Sequence, residues 1–171
     1  MNGIGGDAMN GTERVVAQLN ALHEAFVRFK ACVASLPSGG FLERMNGWSP
    51  RDVTAHLIGW NRYTIEGCRA ILRGACPLYV ADESNDFRTV NRESVERYAS
   101  SDRNELLAEL DASFGELRAF LLTLSDPQWD KDFGVRYKGH VITVENNVEG
   151  LQMDYDRHRE GIETREEKTG R

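Results

Sequence analysis

The chain has 171 residues, 40% of them hydrophobic and 28% charged, with a formal net charge of −6. That is enough chain for one domain with a substantial core, and the acidic balance argues against nucleic acid or an anionic membrane as the main partner, since a phosphate-binding surface needs a basic excess. No run of about 18 apolar residues exists to span a membrane. The opening "MNGIGGDAMNG" lacks the basic and apolar regions of a signal peptide. Cys32, Cys68 and Cys76 are odd in number and widely spaced, so they form no disulfide framework or CxxC zinc motif and suit a reducing, cytoplasmic setting.

The first helix is expected over 13–36, after Thr12 as N-cap. Val15, Leu19, Leu22, Phe26, Phe29, Val33 and Leu36 recur by fours and threes, which is one continuous apolar stripe. "PSGG" at 37–40 ends it. The second helix, 50–73, opens with three agreeing signals. Ser49 can cap free amides, Pro50 suits the first helical position, and Asp52 sits in the positive first turn. Val53, Leu57, Trp60, Thr64, Cys68 and Ile71 mark its inner side, and Gly74 stops it.

Residues 75–100 form a long connection whose "DFRTVNRESVERYA" can hold a short extra helix. A connection of this length permits a crossover bundle. The third helix, 103–124, carries Leu107, Leu110, Phe114, Leu117, Leu121 and Leu124. Within 125–142, Lys138-Gly139 between alternating segments predicts a small hairpin or flap. The fourth helix starts at Thr143 and runs over 144–163, with Val144, Val148, Leu151, Tyr155, His158 and Ile162 in the same rhythm. The expected fold is all-α, a four-helix bundle over 12–163 with flexible ends at 1–11 and 164–171.

Two of these apolar stripes contain a histidine. His56 lies between Val53 and Trp60 on the inner side of the second helix, and His158 stands where the fourth stripe calls for an apolar residue. A buried imidazole needs hydrogen-bond partners or a metal, because an unsatisfied buried polar group costs about 1–3 kcal/mol. Asp154 lies one turn before His158 on the same face. Two imidazoles and a carboxylate from facing helices are the ligand types of an open divalent-metal site. The other reading is an ion pair between Asp154 and His158 and a core histidine at position 56 bonded to a carbonyl. His23 falls off its stripe and is expected to face solvent. His140 lies in the flap, either as a plain loop residue or as a fourth ligand or proton carrier. Glu145, Glu149 and Asp156 read as solvated, with Glu149 the reserve ligand. Trp48, Trp60 and Trp129 read as packing anchors, Cys32 and Cys68 as small core residues, and Cys76 as a thiol with nothing nearby to activate it. No GxGxxG, phosphate loop or Ser/His/Asp order is present.

"WSPRDVTAHLIGWNRY" at 48–63 resembles the second-helix signature of the DinB/YfiT-like superfamily, and "DYDRHREGI" at 154–162 its fourth-helix motif. "WDKDFGVRYKGHVITV" at 129–144 is similar to the ClbS/DfsB branch. The resemblance spans about residues 12–162. It implies a four-helix bundle, often dimeric, with a metal held by three side chains, here His56, Asp154 and His158. The chain departs at Asp154, where many relatives carry histidine and thiol-dependent isomerase relatives carry glutamate. By resemblance the expected function is a metal-dependent hydrolase or thiol-dependent transferase acting on a small electrophile in detoxification or stress. Its cofactors would be a divalent metal, Zn or Ni, and a low-molecular-weight thiol. Its partners would be a small-molecule substrate and a second copy of the chain, with no nucleic acid and no membrane. The alternative is a metal-free bundle that sequesters a small molecule.

Overall fold

The computed structural model describes residues 11–44, 47–80 and 87–169. Five helices carry the fold: α1 Gly11–Ser35, α2 Pro50–Leu72, α3 Arg88–Arg97, α4 Arg103–Leu121 and α5 Val144–Thr169. The bundle consists of α1, α2, α4 and α5, with α2 packed on α4 and α5, and α1 packed on α5. The expected stripes meet inside it. Leu22, Phe29, Leu57, Ile58, Leu110, Leu117, Tyr155 and Ile162 are all fully buried. On α4 the deepest leucine of the first turns is Leu106, while Leu107, expected in the stripe, is only half-buried against the core.

Among the described residues, the long connection after α2 holds a 3-10 turn at Leu78–Val80 and then α3. Both lie against α2, and two glycines make that possible. A Cβ on Gly59 would collide with Ser94 of α3, and one on Gly67 would collide with the Tyr79 ring. The expected hairpin is present as β1 Arg136–Tyr137 and β2 His140–Val141, antiparallel with Tyr137 opposite His140. Lys138 and Gly139 make its turn at φ 48° and 81°, the two left-handed residues that a tight hairpin of this hand requires.

Several boundaries differ from those expected. Gly11 already belongs to α1, and Thr12, instead of capping it, donates its hydroxyl to Asp126. Helix α4 stops at Leu121, short of 124. Helix α5 continues to Thr169, beyond the 163 where the apolar rhythm ends. Arg165 explains the difference: it reaches the Glu43 carboxylate and backbone carbonyl and ties the polar extension to the loop after α1. The flexible end expected at 164–171 is therefore helical through Thr169, and the end expected at 1–11 lies, up to residue 10, outside the described residues. Among those described, no helix is long and apolar enough to cross a membrane.

Candidate metal centre

The start of α2 is fixed by a reciprocal cap. Asp52 N donates to Ser49 Oγ at 3.2 Å, and Ser49 N donates to Asp52 Oδ2 at 2.9 Å. This capping box satisfies two amides that a helix start leaves free. It also locks the helix rotation, so that His56, two turns on, points inward and is 5% exposed. The start of α5 uses the same device. Asn146 N donates to Thr143 Oγ1, and Thr143 N donates to Asn146 Oδ1. Asp154 and His158 then lie one turn apart on the face turned to α2.

The three expected residues come together. His56 Nε2 donates to Asp154 Oδ2 at 2.7 Å, and His158 Nε2 lies 3.4 Å from Asp154 Oδ1. The two imidazole rings are 5.1 Å apart, edge to face. Aspartate, despite its short side chain, therefore reaches both histidines. Trp48, the residue before the cap, covers the cluster: its ring stacks on His158 at 6.3 Å and lies 5.0 Å from His56. Burial pushes the His158 imidazole down to about 4, outweighing the attraction of Asp154. Burial alone would raise the Asp154 carboxyl, but the His56 hydrogen bond, with the charges of His56, His158 and Arg157, holds it below its ordinary range. His158 is thus neutral and Asp154 charged at neutral pH, the states in which each donates a lone pair.

The donor set fits a divalent ion. Each residue offers one ligand atom, and these lie within 4.8 Å of one another. Atoms bound tetrahedrally at about 2.0–2.2 Å to one ion stand about 3.3–3.6 Å apart, so closure takes about an ångström of side-chain movement. Nδ1 of His56 bears on the competing expectation, because it is buried without a hydrogen-bond partner. A core histidine bonded to a carbonyl, the competing expectation, would have that nitrogen satisfied.

The cluster opens into a cavity of about 510 Å³, a volume typical of small-molecule sites. Its walls come from separate elements: Trp60 and Thr64 on α2, Tyr79 from the 3-10 turn, Phe87 and Asn91 at the start of α3, Tyr137 on β1, and Asn147, Leu151 and Arg157 on α5. Trp60 therefore lines the cavity as well as packing, whereas Trp129 is wholly core. Of these wall residues only Trp60, Thr64 and Leu151 stood out in the sequence as part of an inner face. Those on α5 share a legible signal, since 147, 151, 154 and 158 follow helical spacing.

The remaining candidates do not join the site. His140 and Glu149 are exposed and lie outside the cavity wall. His23 is exposed, as expected, and stacks on Phe26 and Phe114. Glu145 pairs with Arg14, and Asp156 with Arg28. Cys76 is exposed, Cys68 is buried with its thiol pushed up to about 12 chiefly by burial, and Cys32 is only partly buried.

Residues 22–147 match the mycothiol maleylpyruvate isomerase N-terminal domain family. The chain belongs to this family. The match contains His56 and ends before Asp154 and His158. Membership confirms the DinB/YfiT-like resemblance, and solved structures agree with it on the fold. An uncharacterised protein from Clostridium difficile 630 superposes with TM-score 0.73 at 16% identity, covering 94% of this chain and 97% of that one. DfsB, described as a sibling lethal factor precursor, gives 0.73 at 13%, over 91% and 96%. The colibactin self-resistance protein ClbS, crystallised with double-stranded DNA, gives 0.71 at 14%, over 88% and 93%. No curated protein is similar to the chain in sequence.

The ClbS complex corrects one expectation. A net charge of −6 argues against nucleic acid as a partner, yet ClbS, which shares this fold, is crystallised in complex with duplex DNA. Net charge averages over the whole surface, whereas phosphate contacts depend on local groups, so the exclusion does not stand.

Proposed function

We propose that the protein is a divalent-metal enzyme of the hydrolase or thiol-transferase type, acting on a small electrophile held in the aromatic-walled cavity. The observation that carries this reading is the convergence of His56, Asp154 and His158 from two helices at the wall of that cavity. A bound Zn or Ni ion would supply Lewis acidity and lower the pKa of a coordinated water or thiol. The chain's own residues prepare the site. Asp154 contributes the negative charge, Trp48 fixes the His158 ring by stacking, and Trp60, Tyr79 and Phe87 exclude water from the reacting molecule.

Among the described residues no cysteine lines the cavity, so a thiol nucleophile would be a small molecule. The family description, which names mycothiol, supports a low-molecular-weight thiol in that role. The description of ClbS as a self-resistance protein supports a detoxifying role. A cytoplasmic location suits the free cysteines.

Elemental analysis of protein purified without an affinity tag tests the reading. About one Zn or Ni per chain is expected, lost in His56→Ala. No metal after attempted reconstitution would leave the alternative, a bundle that sequesters its ligand without chemistry. The ClbS complex also raises a nucleic-acid partner as a second reading. Fluorescence anisotropy with a labelled duplex checks it, since binding through phosphates must weaken steeply with salt.

A further inference from the structure

We propose that the cavity selects an anionic ligand with an aromatic body, and that Arg157 is the residue that reads the negative charge. The inference rests on the cavity being the ligand site, as proposed above, and adds the chemical class of what enters it.

The argument starts from which polar atoms the wall has already used. Trp60 Nε1 donates to Asn91 Oδ1 at 2.8 Å, and Tyr79 Oη donates to Asn147 Oδ1 at 2.6 Å. Both rings are thus pinned at their polar ends and present carbon to the cavity. The same bonds engage one acceptor site on the oxygen of each amide. Asn147 spends its Nδ2 on the Thr64 carbonyl and Cys68, and Asn146 spends its amide on Thr143 N and the Val141 carbonyl. Both oxygens of Asp154 face histidines. Among the amide and charged groups of the wall, Nδ2 of Asn91 and the guanidinium of Arg157 make no hydrogen bond to a described residue; Arg157 is exposed, and its charge also bears on Asp154. No hydrogen bond or ion pair from any described residue reaches Arg157, although most other arginines near α5 are paired. It lies one turn beyond Asp154 and next to His158.

A guanidinium on an otherwise largely aromatic wall favours a ligand that brings a negative charge. A carboxylate matches the planar fork of arginine in two parallel hydrogen bonds. The aromatic faces of Trp60, Tyr79, Phe87 and Tyr137 favour a flat, apolar body by burial and ring contact. A cationic ligand would suit the rings equally well but would meet the Arg157 guanidinium, while both oxygens of Asp154 are turned to the histidines.

The test is isothermal titration calorimetry of the purified protein with 2-naphthoate and with 2-naphthamide, which share the ring and differ in charge. Naphthoate should bind roughly ten- to a hundredfold more tightly, the range of a charge-assisted hydrogen bond. Arg157→Gln should bring the two affinities together without weakening naphthamide, which also shows that the variant is folded. Arg157→Lys should keep part of the preference. Equal binding in the wild type, or a preference for naphthamide, overturns the proposal. A carboxylate preference that survives in Arg157→Gln also overturns it, because the charge is then read by the metal centre, which leaves the proposed function intact. If neither probe binds, both this inference and the cavity as an aromatic ligand site fall, while metal content still judges the centre by itself.

Discussion

Two polar clusters join α2 to its neighbours within two helical turns of each other, and they are built on opposite rules. In the inner one, Tyr155 Oη donates to Asn61 Oδ1 at 2.9 Å, Asn61 Nδ2 donates to Ser113 Oγ at 2.9 Å, and Ser113 Oγ donates to the Leu110 carbonyl at 3.1 Å. Every member is buried and has a partner. In the outer one, Asp154 is shared by two histidines, one imidazole nitrogen is buried without a partner, and the whole cluster borders a cavity. A closed network repays its own desolvation and orders the core. An open one keeps a cost that the fold alone does not recover. Adjacent residues, Asp154 and Tyr155, thus serve different ends: one faces the cavity and the other knits the bundle.

Removing metal probes the contrast with the largest expected effect. If the outer cluster holds an ion, the unfolded chain does not, so the ion stabilises the fold by about 4 kcal/mol when its concentration is a thousandfold above Kd. For a chain of this length that corresponds to about 10 °C in melting temperature. Calorimetry with and without chelator should show the drop in wild type and none in His56→Ala. An unmoved curve in a preparation shown beforehand to contain metal would make the outer cluster as closed as the inner one.

Acid acts next, and only on the outer cluster, since Asn61, Ser113 and Tyr155 gain no proton on acidification. With its imidazole pushed down to about 4, His158 stays neutral in the folded chain after the unfolded chain has taken up a proton. The metal-free protein should therefore keep full stability above about pH 6.5, the ordinary histidine value, and lose it as pH falls toward 4. The loss from this group is at most about 3 kcal/mol. Urea titrations of chelator-treated wild type and His158→Gln measure it, and equal slopes against pH would contradict the assignment.

Tyr155→Phe tests the inner cluster. It deletes one hydroxyl and leaves Asn61 Oδ1 buried without a donor, which costs about 1–3 kcal/mol. Metal content should not change. A variant that loses metal as well would show that the clusters act as one network.

The sequence carried the outer cluster better than its surroundings. His56 and His158 were visible because they break apolar stripes that are otherwise regular, and Asp154 because carboxylate and imidazole one turn apart must share a face. The four long helices were visible for the same reason, since a period of 3.6 survives any arrangement of neighbours. That period does not resolve adjacent leucines, which is why Leu106 takes the deep position expected of Leu107. The cavity was harder to see. Tyr79 and Asn91 reach it from the long connection after α2 and Tyr137 from the hairpin before α5, and only the packing of α3 on Gly59 and of Tyr79 on Gly67 decides what covers the cluster. The inner network was invisible because Asn61 and Ser113 carry no pattern of their own. The end of α5 was misjudged because an ion pair to Glu43, not an apolar residue, holds it.

The smallest effect is expected at the shared root of both clusters, the cap of α2. Ser49→Ala removes the acceptor for Asp52 N and leaves half of the capping box, at a cost of about 1 kcal/mol. Ser49→Thr keeps the acceptor and should lose only a few tenths. The cap sits two turns before His56 and three before Asn61, so fraying of the first turn reaches the outer cluster first. Trp48, directly before the cap, should then loosen its stack on His158. Ser49→Ala should thus weaken metal affinity slightly while the inner network holds, and amide exchange should rise in the first turn of α2 and stay low at Asn61. If exchange rises equally at both positions, α2 opens as one unit, and the separation between an inner cluster that holds the fold and an outer one that serves the cavity does not extend to their dynamics.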